Sequence, residues 1–344
     1  MKLVTFDLCG RDRVGAVQDG RLIDLNAAFT AALVETGNRD PANVELELLR
    51  RRWFDELVEL GDAEPAIVAD RYLPADMLGF LRGGDESMAA ARRALQYVVD
   101  LKYDLPGAVF GADQLPLRAP VPRPPKIVCT GVNYEDYRQV IGLAKSPVPL
   151  VFLKAPSCVV GPDDPVRVPE GYGEAYHEYE FSCVIGKRCK AVPKERAHEF
   201  IAGYTIFHDI TGRTLEATSR EYQPWGKSID TYGPMGPWIV TPDAMPKDLY
   251  NLRILRRRNG KIEAESNTSN MIFHFDDIIA FVSTFWTLEP GDLITTASPM
   301  AGPIFPGDVI ESEIEGIGVL RNPVEAVTVD HAYAEKIGLN GPRA

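Results

Sequence analysis

A chain of 344 residues, 45% hydrophobic and 25% charged, has the make-up of a globular protein with room for a large core and for two domains. Its net charge is −12, and its basic runs "LRRRW" and "ILRRRNGK" are short and lie among acidic neighbours, which argues against a nucleic-acid partner. No apolar stretch reaches the roughly 20 residues that span a bilayer, so no membrane partner is expected.

The N-terminal "MKLVTFDLCGRDRVG" carries charges where a signal peptide would carry its apolar segment, and a cytoplasmic location is the expectation. Five cysteines, at 9, 129, 158, 183 and 189, form no Cys-x-x-Cys pair and read as buried or free thiols. "RVGAV", "QDG" and "RLIDL" predict a hairpin around an Asp-Gly turn. Apolar residues at three- and four-residue spacing predict helices over "NVELELLRRRWFDELVEL" and "ESMAAARRALQYVVDLK". Then "PLRAPVPRPPK", residues 116–126, packs five prolines into eleven residues, which excludes a helix and predicts an extended linker.

Beyond the linker the texture is of strands: "KIVCTGV", "LVFLK", "FSCVIG", "GYTIF", "PWIVT", "LRILRRR", "DLITTA" and "DVIESEIEGIGVL". Helices are predicted over "FDDIIAFVSTFWTLEPGD", which ends in a Pro-Gly-Asp stop, and over the shorter "PKERAHEFIAG". The expected organisation is α+β and β-rich. A small N-terminal α+β domain (1–115) precedes the linker (116–126), a catalytic domain (127–330) and a C-terminal tail (331–344).

Within "AYHEYEFSCVIGK", Glu178 and Glu180 stand two apart at the mouth of an apolar run. On a strand they project from one face, with His177 and Tyr179 facing the other way. Adjacent carboxylates repel, and burial raises the cost. A hard divalent cation between them removes the conflict and calls for a third carboxylate from elsewhere. Asp209, read as lying where the run "GYTIF" ends and the chain turns, is the candidate.

Residues 125–325 resemble the fumarylacetoacetate hydrolase family, through "KIVCTGVNYEDY", "EYEFSCVIGK", "AGYTIFHDITGR", "WGKSIDTYGPMGPWIV", "TLEPGDLI" and "GDVIESEIEGIGVLRNPV" in the family's order and spacing. The resemblance implies a mixed β-sandwich roll, a homodimer, and Mg²⁺ (or Mn²⁺) held by Glu178, Glu180 and Asp209. It places Lys227 on a substrate-binding lysine and Arg213 on an arginine near the site. Ser298 falls on a threonine of the usual Thr-Gly-Thr-Pro turn, with Ala297 in place of the Gly. Arg213, Lys154, Ser298 and Glu216 are the candidate substrate-binding residues; Lys227, Tyr137 and Glu135 are the candidate catalytic ones.

Two departures bear on the chemistry. In "NYEDYRQV", Tyr137 stands where the family has a His and Val140 where it has a Glu, so the dyad that activates water in many members is missing. Tyrosine is a poor base near neutral pH. In "HDITGRTLE", His208 replaces Asn, Thr214 an Asp and Glu216 a Gln. The first expectation is a Mg²⁺-dependent hydrolase that cleaves a C–C bond of a 2,4-dioxo acid resembling an acylpyruvate. Its base would be relocated, with Glu135, Asp136, His177 and His208 as neighbours. The alternative is an isomerase, tautomerase or decarboxylase of a 2-oxo acid working through a metal-stabilised enolate, which consumes no water. A non-catalytic member that binds a small acid is the third. In every case the expected partner is a small anionic 2-oxo acid.

Overall fold

The computed structural model describes residues 1–37, 65–218 and 224–328. The chain divides into two compact units, Lys2–Pro116 and the chain from Leu117 onward. The helix expected over 43–60 and the tail 331–344 lie outside the described residues.

The N-terminal unit is an antiparallel sheet of β1 (Lys2–Leu8), β2 (Arg11–Gln18), β3 (Arg21–Asp24) and β4 (Val109–Gly111), in the order β4-β3-β2-β1. Both of its two-residue turns, Cys9–Gly10 and Asp19–Gly20, have positive φ at both positions. That geometry matches the right-handed twist of the flanking strands. The helix Gly84–Asp100 buries Ala90, Ala91, Ala94, Leu95 and Val98, one stripe at helical spacing.

The second unit carries β5 (Leu117–Arg118), β6 (Ile127–Gly131), β7 (Leu150–Lys154), β8 (Val159–Val160), β9 (Val166–Pro169), β10 (Ala175–Ile185), β11 (Ile201–Gly212) and β12 (Gly233–Val240). It continues with β13 (Arg253–Arg258), β14 (Lys261–Asn267), β15 (Leu293–Thr295), β16 (Ala301–Ile304), β17 (Val309–Ile314) and β18 (Gly318–Val327). One sheet runs β12-β11-β10-β15-β6-β7, with β16 also paired to β10; a second runs β14-β13-β17-β18-β9. The protein is thus α+β and strand-rich, as expected. Among the described residues no helix is long and apolar enough to cross a membrane.

The central pair, β10 and β11, decides where the site falls. Tyr179, Phe181, Cys183 and Ile185 on β10, with Tyr204 and Ile206 on β11, enter the main core beneath the helix Phe275–Phe285. Phe181 packs edge to face on Phe275, ring centroids 5.0 Å apart. Alternation then sends Glu178, Glu180 and Asp209 to the opposite face.

Three expectations need correction. Asp209 does not end its strand: Thr211 and Gly212 still pair with Tyr176 and Ala175, so it sits inside β11. The helix expected over 193–203 is a 3₁₀ turn, Lys194–Phe200, because Ile201 and Gly203 pair with Ile185 and Val184 of β10. The proline-rich run is extended but packed: Ala119 and Val121 are buried, and Gly161 lets the run pass so close that a Cβ there would lie 2.6 Å from Ala119 N.

Phe181→Ala would remove a fully buried ring that packs on Tyr204 and Phe275 and is expected to cost about 3–5 kcal/mol, measured by urea unfolding.

Candidate metal centre and active site

The register of β10 and β11 sets Glu178 directly opposite Asp209, and Glu180 is the next residue along the same face. One carboxylate oxygen from each lies within 4.8 Å of the others, the one such cluster of three or more among the described residues. Oxygen ligands at about 2.1 Å from a small divalent ion sit at most about 4.2 Å apart across it, so a shift of a few tenths of an ångström would close the set. Glu180 and Asp209 are buried, whereas the Glu178 side chain keeps 21% exposure, so the cluster opens at Glu178.

Glu180 is half used. Its Oε2 accepts the Ala297 N–H at 3.0 Å, and its Oε1 is buried with no protein partner. A buried carboxylate oxygen without a donor suits a hard cation, and three carboxylates are the donor set such an ion takes. Glu178, Glu180 and Asp209 therefore fit the divalent ion expected from the sequence.

Two lysines share the negative charge. Lys154 Nζ donates to Asp209 Oδ1 at 2.5 Å and to the carbonyls of Ile210 and Tyr232 at 3.2 and 2.9 Å. All three of its donors are thereby occupied, so this residue, a candidate for substrate contact, anchors Asp209 instead. Lys227, on the short helix Pro224–Lys227, donates to Asp209 Oδ2 and Thr211 Oγ1 at 2.7 Å each and to Glu178 Oε1 at 3.1 Å. Burial opposes charge on Asp209, but the two ammonium groups outweigh it and hold its pKa below the ordinary value. Burial, then the charges of Asp209 and Glu178, push Glu180 well up. Burial likewise raises Glu178, against the pull of Lys227.

The remaining candidates divide. Tyr137, on the helix Glu135–Val140, lies within electrostatic reach of Glu178, Arg213, Glu216 and Lys227; burial, then the charge of Glu178, raises its pKa. Arg213 donates to Glu216 Oε2 at 2.7 Å and is half in solvent. These four are brought together with the carboxylates. Glu135 is not: both its oxygens are taken by Arg138 and one also by Gln139 of its own helix. Arg138 holds its pKa down to about 2, which makes it a poor base. Asp136 accepts from Ser266 and Asn270. Ser298 Oγ accepts the Tyr179 N–H and donates to the Met300 carbonyl, so it braces the loop against β10. His177 and His208 meet edge to face on the other face of the strands.

Two contributors escaped sequence reasoning. Thr211 Oγ1 donates to Glu178 Oε1 at 2.7 Å; its place two residues after Asp209, on the same face, is the signal that could have revealed it. The Ala297 amide leaves no signal in its side chain.

Comparison with known proteins follows the same lines. Residues 126–325 match the family model described as fumarylacetoacetate (FAA) hydrolase C-terminal. The mitochondrial oxaloacetate tautomerase Fahd2a of Rattus norvegicus is 36% identical over 276 residues, 78% of this chain and 83% of the relative. The corresponding fahd2 protein of Xenopus laevis is 34% identical over 316 residues, 88% of this chain and 93% of the relative. The crystal structure of maleylpyruvate hydrolase from Sphingobium sp. SYK-6, in complex with manganese(II) and pyruvate, aligns over 95% of this chain and 99% of its own at 27% identity and a TM-score of 0.67. That of 5-carboxymethyl-2-hydroxymuconate delta-isomerase from Mycobacterium smegmatis covers 64% of this chain and 84% of its own, at 34% identity and a TM-score of 0.59.

Two measurements probe this site. The raised pKa of Glu180 means a proton competes with the ion, so Mn²⁺ affinity should fall, by up to about tenfold per pH unit, as pH drops through that pKa. Calorimetric titration over a pH series should show it, and Glu180→Gln should weaken binding and flatten the dependence. Lys154→Met leaves Asp209 with one ammonium instead of two and is expected to cost about 3–5 kcal/mol in urea unfolding.

Proposed function

The chain belongs to the fumarylacetoacetate hydrolase family, and from that premise we propose that it is a divalent-metal-dependent tautomerase or isomerase of a small 2-oxo acid. The observation that carries this reading is Tyr137. It stands where a water-activating dyad would begin, near Glu178 and Lys227, with its pKa raised by burial and by the charge of Glu178. A phenol in that setting stays protonated. It can give that proton to C3 of an enol; it is no base for water.

A divalent ion held by Glu178, Glu180 and Asp209 would supply Lewis-acid polarisation of the substrate's 2-oxo group. The protein's own groups do the rest. Lys227 remains an ammonium, because Asp209 and Glu178 outweigh its burial, and its charge stabilises negative charge on a substrate oxygen. Arg213, steadied by Glu216, attracts the anionic substrate at the open side. Lys154 and Thr211 hold Asp209 and Glu178 in place. In the enol-to-keto direction Tyr137 would give its proton to C3, while the enol hydroxyl proton leaves through solvent to the phenolate. One proton enters at carbon, one leaves oxygen, the phenol is restored and no water is consumed. The oxaloacetate tautomerases among the relatives support the same reading.

Hydrolysis of a C–C bond in a 2,4-dioxo acid is the second reading, supported by the near full-length match to a maleylpyruvate hydrolase. It requires a base aimed at water. Glu135 and Asp136 are engaged elsewhere, and His177 and His208 lie behind the ligand strands.

Tyr137→Phe should lower kcat by about 10²- to 10⁴-fold and leave Mn²⁺ affinity unchanged; unaltered kcat removes the phenol from the mechanism. With oxaloacetate in D₂O, the enzyme should accelerate exchange of the C3 protons seen by NMR. Turnover of an acylpyruvate in ¹⁸O-water that labels the released carboxylate would instead establish hydrolysis.

A further inference from the structure

Behind the carboxylates lies a second set of polar side chains that the reaction does not use. His177 and Tyr179 alternate with Glu178 and Glu180 on β10, and His208 precedes Asp209 on β11. All three therefore face the core side of the strands, where β10 and β11 meet β17 of the other sheet. Tyr179 is the register partner of His208. The rings of His177 and His208 meet edge to face, with centroids 4.3 Å apart, and His177 Nε2 lies 3.1 Å from Ser312 Oγ on β17.

Arg256 completes the set from β13. It pairs in register with Ser312, and its guanidinium occupies the space above Gly302 of β16, where a Cβ would come within 2.0 Å of Nη1. Gly302 is in turn the register partner of His177. His177, Tyr179, His208 and Ser312 are fully buried and Arg256 nearly so.

Five buried atoms here have no hydrogen-bond partner among the described residues: His177 Nδ1, Tyr179 Oη, His208 Nδ1, His208 Nε2 and Arg256 Nε. Buried polar atoms are rarely left unpaired, and a concentration in one place points to a shared ligand. The donor–acceptor inventory says which kind. Arg256 Nε only donates, whereas each neutral imidazole offers one donor and one acceptor. The Arg256 charge is already answered by Glu263 at 3.0 Å. A buried anion would add uncompensated charge and leave the imidazole acceptors empty. Water both donates and accepts.

We propose that His177, Tyr179, His208 and Arg256 hold an internal water site between the two sheets, which positions the strands that carry Glu178, Glu180 and Asp209. The ligand residues and the water-binding residues alternate along the same backbone, so a shift in one set moves the other. His177 and His208 are positioning residues in this scheme.

A high-resolution crystal structure of the full chain, with ¹⁷O relaxation dispersion in solution, tests the site itself. Ordered water within hydrogen-bond distance of at least two of the five atoms, with a long residence time, is the expected result. The five atoms paired with one another and no water between them, or an anion at that place revealed by bromide soaking, overturns the proposal. The positioning role is read from Mn²⁺ affinity by electron paramagnetic resonance, which needs no turnover and so stands or falls apart from the proposed reaction. His208→Phe should weaken Mn²⁺ binding by about tenfold or more and lose a long-lived water, and His208→Gln should restore most of both. Wild-type affinity in a folded His208→Phe protein overturns the role. Should that variant not fold, the wild-type structure still decides the water site and Ser312→Ala replaces it, with weaker Mn²⁺ binding expected and unchanged binding counting against the role.

Discussion

Three carboxylates held within 4.8 Å of one another, two of them buried, are a repulsive arrangement that the rest of the catalytic unit is built to sustain. Lys154 and Lys227 answer two of the three negative charges, leaving the cluster at net −1. A dication would bring it to +1. An acidic protein thereby gains a local positive centre for an anionic substrate, which its overall charge of −12 would otherwise repel. The lysines act at different places. Lys154 spends its three donors on Asp209 and two backbone carbonyls, whereas Lys227 spends its three on Asp209, Glu178 and Thr211, at the side where Glu178 reaches solvent.

The cluster is also braced by backbone. The loop after β15 sets the Ala297 N–H on Glu180 and the Ser298 hydroxyl on the Tyr179 amide. Ala297 adopts φ +64, a conformation that costs a residue with a Cβ about 1–2 kcal/mol. The strain sits on the residue whose amide fixes one oxygen of Glu180 and leaves the other open, as strained backbone at a ligand-holding site does elsewhere. A glycine would adopt that conformation without strain, but it would be looser in the unfolded chain.

Strand alternation divides the labour in β10 and β11. One face presents carboxylates, Thr211 and the approach to Tyr137. The other presents His177, Tyr179 and His208 to the second sheet and then Phe181 and Tyr204 to the core. A one-residue slip would exchange the two faces, so the packing of Phe181 against Phe275 and the ligand geometry depend on the same register. The fold and the site are in this sense one constraint.

Much of this was legible in the residues themselves. The period-two placement of Glu178 and Glu180, the apolar run behind them and the Asp-Gly hairpin follow from local geometry. The order and spacing of the motifs identified the family and, with it, Asp209 and Lys227. What the sequence left open was decided by contacts between segments far apart in the chain. Glu135 and Tyr137 stand two residues apart on one helix, yet Arg138 draws Glu135 to the surface while burial keeps Tyr137 at the site. Lys154 reads from the sequence as a substrate ligand, whereas Asp209 and the carbonyls of Ile210 and Tyr232 fill its donors. Local sequence determines which face a side chain takes and what chemistry it carries. Only the tertiary structure decides which partner satisfies it, because hydrogen bonds and charges are shared among whatever groups the fold brings within about 3 Å.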